Sequence, residues 1–192
     1  MKQPIKQTRL APDWDIVQWL NSDTPLDLHA LRGRVVVAGA FQMLCPGCVA
    51  QTIPQLRQAH ALFPASEVAV VGLHTVFEHH AAMGPDALKA FLHEYKVSFP
   101  VGIDRPSDRG DAIPSTMRRY DMQGTPTLLL IDRDGRLRRQ TFGHIPDLQL
   151  GAEIMALMRE PSTAGLQPVR KDDGSNVNCD DQGCRIAETT LE

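Results

Sequence analysis

Four cysteines, in two local pairs, are the side chains of this sequence best suited to chemistry. Cys45 and Cys48 are separated by two residues, and Cys179 and Cys184 are separated by four. A domain held together by disulfides would be shorter and richer in cysteine. A single zinc site is a poor fit, because roughly 130 residues separate the pairs and their inner spacings differ. The first pair is therefore the first candidate site.

The residues around the first pair predict a strand before it and a helix after it. Residues 35–41 form a continuous apolar run, which predicts a strand buried on both faces. Apolar residues then recur at helical spacing until Pro64 ends the pattern. Pro54 lies inside this predicted helix, and we expect a kink there because proline lacks a backbone N–H. Two cysteines three apart in a first helical turn face the same way, so their sulfurs can bond.

This position gives the two cysteines different expected roles. A helix N-terminus carries unpaired N–H groups and about half a positive charge, which favours a thiolate at Cys45. Thiol pKa values in such settings fall from about 8.5 to about 3.5–7.5. Cys45 is then the attacking thiolate, and Cys48 is the buried thiol that resolves a mixed disulfide. A metal half-site and an inert disulfide are the alternatives, but the strand, the helix and the α/β context favour redox chemistry.

The remaining pattern predicts one α/β domain over residues 1–160, with an N-terminal extension over residues 1–23. Further predicted elements are strands over residues 68–73, 99–103, 127–131 and 137–142, and helices after Pro85, within residues 112–120 and around residues 148–158. Alternating strands and helices predict a mixed central sheet with helices on both faces. Residues 104–111 are predicted to be a solvated polar turn. The polar residues 161–192 predict a flexible tail.

Composition excludes several function classes. The 192 residues carry 20 Lys and Arg against 23 Asp and Glu, a formal net charge of −3. That balance gives no excess of positive charge of the kind that binds nucleic acid or anionic lipid. No stretch approaches the roughly 20 apolar residues of a membrane helix. No apolar run follows the basic start, so we expect a cytoplasmic protein, or a periplasmic one if a leader has been removed.

The sequence resembles the thioredoxin-fold redoxins of the TlpA/ResA-like (AhpC/TSA-redoxin) family over about residues 24–158. The matching stretches are residues 31–37 leading to Cys45-Pro46-Gly47-Cys48, residues 70–75 with 99–104, and residues 124–132 with Asp134-Gly135. The resemblance implies a thioredoxin-like fold with an insertion around residues 85–120. It also implies dithiol–disulfide exchange with protein substrates and with an upstream thiol reductant or oxidant, without a cofactor.

The resemblance further implies how a substrate is held. Pro126 corresponds to the cis-proline that faces the active-site sulfurs. A proline at the start of a buried strand is itself unusual, because it removes a ladder donor. The backbone of Thr125 would then pair with the substrate chain by strand addition. We expect Leu44, Pro46 and Gly47 to contact the substrate as well.

The sequence departs from thioredoxin at the proton acceptor. Thioredoxin carries a buried Asp six residues before its first Cys, where this chain has Gly39. The ResA-like branch places a Glu in the loop after the next strand, which makes Glu78 the candidate proton-handling acid. The alternative is that Glu78 is an ordinary solvated carboxylate.

Two other functions remain open from the sequence. A thiol peroxidase of peroxiredoxin type would have Thr three residues before its reactive Cys, where this chain has Gln42. A non-catalytic copper or zinc carrier would combine the cysteine pair with nearby ligands, but no spacing here matches a known metal signature. The ligands available to such a carrier are His74, Glu78, His79 and His80. Met43 is either a soft ligand for copper(I) or an apolar lip for the substrate.

Cys179 and Cys184 form a possible redox relay in the predicted tail. About 19 free residues after the last helix span roughly 24 Å, enough to reach Cys45 and Cys48 at a high local concentration. The alternatives are a local disulfide and two free thiols.

Overall fold

The computed structural model describes residues 9–162 together with the main chain of residues 177–180 and 183–186. Its strands are β1 (Arg9–Leu10), β2 (Ile16–Leu20), β3 (Val35–Phe41), β4 (Val68–His74), β5 (Val101–Asp104), β6 (Thr127–Ile131), β7 (Arg136–Phe142), β8 (Val177–Asp180) and β9 (Gly183–Ile186). Its α-helices are α1 (Ile53–Leu62), α2 (Pro85–Glu94), α3 (Ser115–Arg119) and α4 (Asp147–Arg159).

A seven-stranded mixed sheet with the order β1-β7-β6-β3-β4-β5-β2 organises the domain. β3 lies at its centre, where it pairs in parallel with β4 and antiparallel with β6. All seven residues of β3 are buried, because helices cover both of its faces. One face packs against α1, α2 and α4, and the other packs against α3 and the segment around Leu28 and Leu31. The predicted thioredoxin-like α/β fold is confirmed.

Gly39 lies where α1 crosses closest to the sheet. A Cβ atom added at Gly39 would lie 2.6 Å from Leu56 Cδ1 and 3.2 Å from Thr52 Cγ2. Contacts this short require the helix or its side chains to shift. This site therefore has no room for the buried Asp that thioredoxin carries there.

The region around Pro54 differs from the single kinked helix predicted from the sequence. Cys48–Thr52 forms a π-helical turn, in which Ile53 N–H donates to Cys48 O, and α1 begins after it. Pro54 therefore directly follows the π-helical turn, within helical structure that runs without a break from Pro46 to Leu62. The π-helical turn already interrupts the regular hydrogen-bond pattern just before Pro54, so the missing N–H of the proline is accommodated at this point.

Two further expectations are corrected by the structure. The N-terminal extension contributes the edge strands β1 and β2, which the sequence pattern did not predict. Asp104 is buried rather than solvated. Its carboxylate accepts hydrogen bonds from Thr75 Oγ1 at 2.7 Å and from the backbone N–H groups of Thr116 and Met117 at 2.7 and 3.0 Å. Burial raises the pKa of Asp104, and these hydrogen bonds oppose the increase.

The predicted tail lies largely outside the described residues. Within it, β8 and β9 form an antiparallel hairpin that the polar composition did not predict. No helix in the described ranges has the length and apolar content needed to cross a bilayer.

Candidate active site

The first cysteine pair lies at the junction between the central strand and the helix that follows it. β3 ends at Phe41, and helical structure begins at Pro46. Cys45 Sγ accepts the backbone N–H of Cys48 at 3.3 Å, as an N-cap side chain does. Both cysteines are free thiols; Cys45 is half-buried and Cys48 is buried. Of the two, Cys45 is therefore the sulfur that an incoming disulfide can reach.

The environment of Cys48 keeps this thiol protonated at neutral pH. Burial and a hydrogen bond with Cys45 raise the pKa of Cys48 from 9.0 to about 12, whereas a hydrogen bond from the Gln42 backbone opposes the increase. Only the thiolate is nucleophilic, so Cys48 must lose a proton before it can attack. A proton acceptor near the pair would therefore assist this step.

The loop before β6 faces the cysteine pair. The Thr125–Pro126 peptide bond is cis. The Cys45 thiol donates a hydrogen bond to Thr125 O, with 3.5 Å between the two atoms. A Cβ atom added at Gly47 would lie 3.5 Å from Pro126 Cδ, so the helix start and the proline ring are in close contact. The structure thus brings both cysteines together with Gly47, Thr125 and Pro126.

Exposed apolar side chains flank this arrangement. Leu44, next to Cys45, is 57% exposed, and Phe142, at the end of β7, is 54% exposed. The ring of Phe142 lies against Gly124, since a Cβ atom added there would be 3.0 Å from Phe142 Cε2. Phe142 was not predicted as a site residue, although an apolar aromatic ending a polar strand is a usable signal. Met43 is buried in the core cluster that also contains Cys48, so it offers no surface for the predicted apolar lip.

Gln42 connects the cysteine pair to two loops. Its buried side chain accepts the backbone N–H of Phe77 at 3.2 Å through Oε1. Its Nε2 donates to Glu78 Oε1 at 3.3 Å and to Thr125 Oγ1 at 3.5 Å. The predicted proton-handling residue, Glu78, is exposed and is linked through Gln42 to the loop that contacts Cys45. From the sequence, Gln42 was compared only with the Thr of a peroxidase motif. A polar residue directly after a buried strand was the signal that could have identified it as a site residue.

The histidines considered as metal ligands do not converge. His74 is buried against Phe41, with 5.3 Å between the ring centroids, and its Nε2 has no hydrogen-bond partner among the described residues. Burial lowers the pKa of His74 to about 4, so the ring is neutral at neutral pH. His79 and His80 are exposed. Over residues 9–162, no three His, Cys, Asp or Glu side chains form a group that could hold a metal ion.

The second cysteine pair lies on the C-terminal hairpin. Cys179 in β8 and Cys184 in β9 are directly opposite partners in the strand register. Residues 163–176, which precede the hairpin, lie outside the described residues.

The sheet order, the Cys-x-x-Cys pair at a helix start and the facing proline loop define a thioredoxin-like redox protein. A family model described as Redoxin matches residues 6–149, and the chain belongs to the redoxin family. The predicted family resemblance is therefore confirmed.

Solved structures share this fold at substantial identity. A thioredoxin-like superfamily protein is 57% identical to this chain, with a TM-score of 0.77. The match covers 80% of this chain and 98% of that protein's chain. A thiol-disulfide isomerase from Corynebacterium glutamicum is 46% identical to this chain, with a TM-score of 0.75. The match covers 79% of this chain and 98% of that isomerase's chain.

Curated relatives are less similar in sequence. Thiol-disulfide oxidoreductase ResA of Bacillus anthracis is 27% identical over 125 residues, covering 65% of this chain and 64% of ResA. Protein DipZ of Mycobacterium tuberculosis is 29% identical over 136 residues, covering 69% of this chain. The matched part is only 18% of DipZ, so the chain corresponds to less than a fifth of that relative.

Proposed function

We propose that this chain is a thiol–disulfide oxidoreductase that uses Cys45 and Cys48 to exchange disulfides with protein substrates. The observation that carries the proposal is the pairing of an accessible thiol with a buried one. Cys45 Sγ lies at a helix start and contacts Thr125 O at 3.5 Å, while Cys48 is buried directly behind it. The names of ResA and of the Corynebacterium isomerase support this class of activity.

In the direction that reduces a substrate, two displacements transfer two electrons. The Cys45 thiolate attacks one sulfur of the substrate disulfide, and the other substrate sulfur leaves and takes up a proton. A mixed disulfide then joins Cys45 to the substrate. Cys48 loses its proton and attacks Cys45 Sγ, which forms the Cys45–Cys48 disulfide and releases the second substrate thiol. The same steps in reverse oxidise a dithiol substrate, and an upstream thiol reductant or oxidant resets the pair.

The surroundings of Cys45 support an extended protein segment as the substrate. The backbone of Thr125 would pair with that segment as an added strand, which places its sulfur at Cys45. The exposed Leu44 and Phe142, together with Pro46 and Gly47, would contact its apolar side chains.

Trapping of the mixed disulfide tests the proposal. In Cys48→Ser, the first displacement proceeds and the second cannot, so a stoichiometric adduct with a disulfide-containing protein accumulates and is detected by intact mass. Cys45→Ser is the matched control and forms no adduct; both variants also carry Cys179→Ser and Cys184→Ser, so that no other thiol of the chain can react. Adducts of equal yield in both variants would contradict the assigned roles. Rapid turnover of hydrogen peroxide without disulfide exchange would instead support the peroxidase alternative.

We also propose that Cys179 and Cys184 are a second redox pair that exchanges with the first. Opposite residues in an antiparallel pair have Cα atoms about 4.5–5.5 Å apart, within the range that disulfides span. The register of β8 and β9 therefore supports a disulfide between them. Attack by the thiolate of one pair on the disulfide of the other would pass two electrons between them and would restore one dithiol.

A further inference from the structure

We propose that the C-terminal hairpin formed by β8 and β9 docks, within the same chain, on the apolar surface beside Cys45 and covers the place where protein substrates bind. The hairpin is then a tethered competitor of those substrates, as well as the carrier of the second cysteine pair. The inference rests on the proposed function, because the surface that it covers is the one proposed to hold the substrate.

The strand register gives the hairpin one apolar face. Val177 is opposite Ile186, and Cys179 is opposite Cys184. Because alternate residues of a strand belong to opposite faces, these four residues share one face of the hairpin. The opposite face carries the remaining residues of the two strands, which are Asn178, Asp180, Gly183 and Arg185. Both cysteines therefore belong to the apolar face.

The apolar face of a two-stranded hairpin needs a surface to pack against. A hairpin on its own is marginally stable in water, and packing of its apolar face against another element stabilises it. Among the strands that the structure describes, β8 and β9 pair only with each other and do not extend the main sheet. Burial of Val177 and Ile186 against the domain would therefore stabilise the hairpin.

The domain has an exposed apolar surface at the site itself. Leu44 is exposed and directly precedes Cys45. Phe142 is exposed and lies against Gly124, at the start of the loop that contacts Cys45. An exposed apolar cluster beside a reactive group marks a binding surface. When the hairpin covers this surface with its apolar face, its cysteines come against Cys45, as exchange between the two pairs requires.

The connection between the domain and the hairpin is long enough for this docking. α4 begins beside the site, because Gly143 N–H in the preceding loop donates to Pro126 O at 2.8 Å. The 13 residues of α4 rise about 20 Å, which is the order of the distance from the site to Arg159. Residues 163–176 can span up to roughly 45 Å when extended. Such a tether gives the hairpin a roughly millimolar local concentration, so weak packing suffices.

Alkylation of Cys45 by a maleimide that carries a polyethylene-glycol chain reports how far the hairpin covers the site. The parent protein for this assay is the full chain with Cys48→Ser, Cys179→Ala and Cys184→Ala, so that Cys45 is its single thiol. Alanine keeps the hairpin face apolar and removes redox exchange from the measurement. The reagent is too large to reach Cys45 under a docked hairpin, so its rate follows the undocked fraction.

Val177→Ser with Ile186→Ser removes the apolar face without changing the domain. Burial of each side chain favours docking, so we expect this double variant to react about fivefold faster than the parent protein, or more. Asn178→Ser with Arg185→Ser, on the opposite face of the same strands, is the matched control and should react at the parent rate. Equal rates in the parent protein and in both double variants would overturn the proposal.

Substitutions in the domain show where the hairpin docks. In a protein with Leu44→Ser and Phe142→Ser, the apolar-face substitutions should add no further effect, because the docking surface is already lost. Leu62→Ser, at an exposed position at the end of α1, is the control and should preserve the full effect. An effect that survives Leu44→Ser with Phe142→Ser would overturn the proposal. A rate constant that falls as protein concentration rises would also overturn it, since a second copy would then supply the hairpin.

Turnover of a protein disulfide separates this inference from the proposed function. In a protein with intact Cys45 and Cys48 and with alanine at both hairpin cysteines, Val177→Ser with Ile186→Ser should lower KM about fivefold and leave kcat unchanged, because a competitor is removed. Normal turnover with an unchanged KM would overturn docking and leave the proposed function intact. Absence of turnover in every variant would contradict the proposed function, whereas the alkylation rates would still decide whether the hairpin docks.

Discussion

The burial of Cys48 predicts a large difference in reactivity between the two active-site thiols. To test this, one active-site thiol is replaced at a time, by Cys45→Ser or by Cys48→Ser, in a protein that also carries Cys179→Ser and Cys184→Ser. Each variant then holds a single thiol. Cys45 is half-buried, whereas Cys48 has no exposed surface.

The magnitude follows from the pKa of Cys48. A thiol with the ordinary pKa of 9.0 is about one-tenth thiolate at pH 8, whereas a pKa of about 12 leaves about one part in ten thousand. The thiolate population of Cys48 is therefore about a thousandfold lower than that of an ordinary thiol. The lack of exposed surface lowers its reactivity further, because the reagent must reach the sulfur.

Iodoacetamide alkylation followed by intact mass measures both rates. At pH 8 we expect Cys48 in the Cys45→Ser variant to react up to about a thousandfold more slowly than the same protein in denaturant, because burial, the largest cause of the raised pKa, remains after the contribution of Cys45 is removed. Cys45 in the Cys48→Ser variant should react readily in the folded protein. A folded-state rate for Cys48 within about tenfold of its denatured rate would refute the reasoning, provided that circular dichroism shows a folded variant.

Three further predictions concern the surroundings of the site. Burial lowers the pKa of His74 from 6.5 to about 4, so His74 should cost the folded state about 3 kcal/mol as pH falls from 6.5 to 4. In urea unfolding over that range, the His74→Leu variant should therefore lose less stability than the wild-type protein. Equal losses in the two proteins would contradict this. Gly39→Ala should lower the free energy of unfolding by about 1–3 kcal/mol, because the added Cβ would lie 2.6 Å from Leu56 Cδ1. An unchanged urea midpoint would contradict this, because it would show that α1 shifts to accommodate the Cβ without cost. Cys179→Ser with Cys184→Ser should slow turnover of a protein disulfide by wild-type Cys45 and Cys48; unchanged turnover would exclude the relay.

The sign of the His74 effect follows from burial of a base. The unfolded chain binds a proton near pH 6.5, and the folded chain does not until about pH 4. His74 therefore costs the folded state nothing through protonation above pH 6.5, where the ring is neutral in both states, and the cost grows as pH falls from 6.5 to about 4.

The elements that position Cys45, Cys48 and the facing proline loop could be predicted because their signals are local. β3 and β6 are continuous apolar runs, and the helix after Cys48 has apolar residues at helical spacing. β2 could not be predicted in this way. It is an edge strand of mixed exposure, held by backbone pairing with β5, and its position depends on a strand more than 80 residues later.

The polar network at the site could not be predicted from local patterns. The side chain of Gln42 meets partners 35, 36 and 83 residues away in the sequence. Asp104 was expected in solvent because its neighbours are polar, yet side-chain and backbone donors from two distant segments satisfy its buried carboxylate. Both cases depend on tertiary contacts, which residue type and spacing do not encode.

An equilibrium redox titration of the Cys45–Cys48 pair in glutathione buffers tests the central claim most directly. With Cys179 and Cys184 changed to Ser, the account predicts a single reversible two-electron transition, followed by mass after alkylation of the free thiols. Cys45→Ser and Cys48→Ser should abolish it. A protein that stays fully reduced or fully oxidised across all buffers, with no measurable couple, would contradict disulfide exchange as the function of this site.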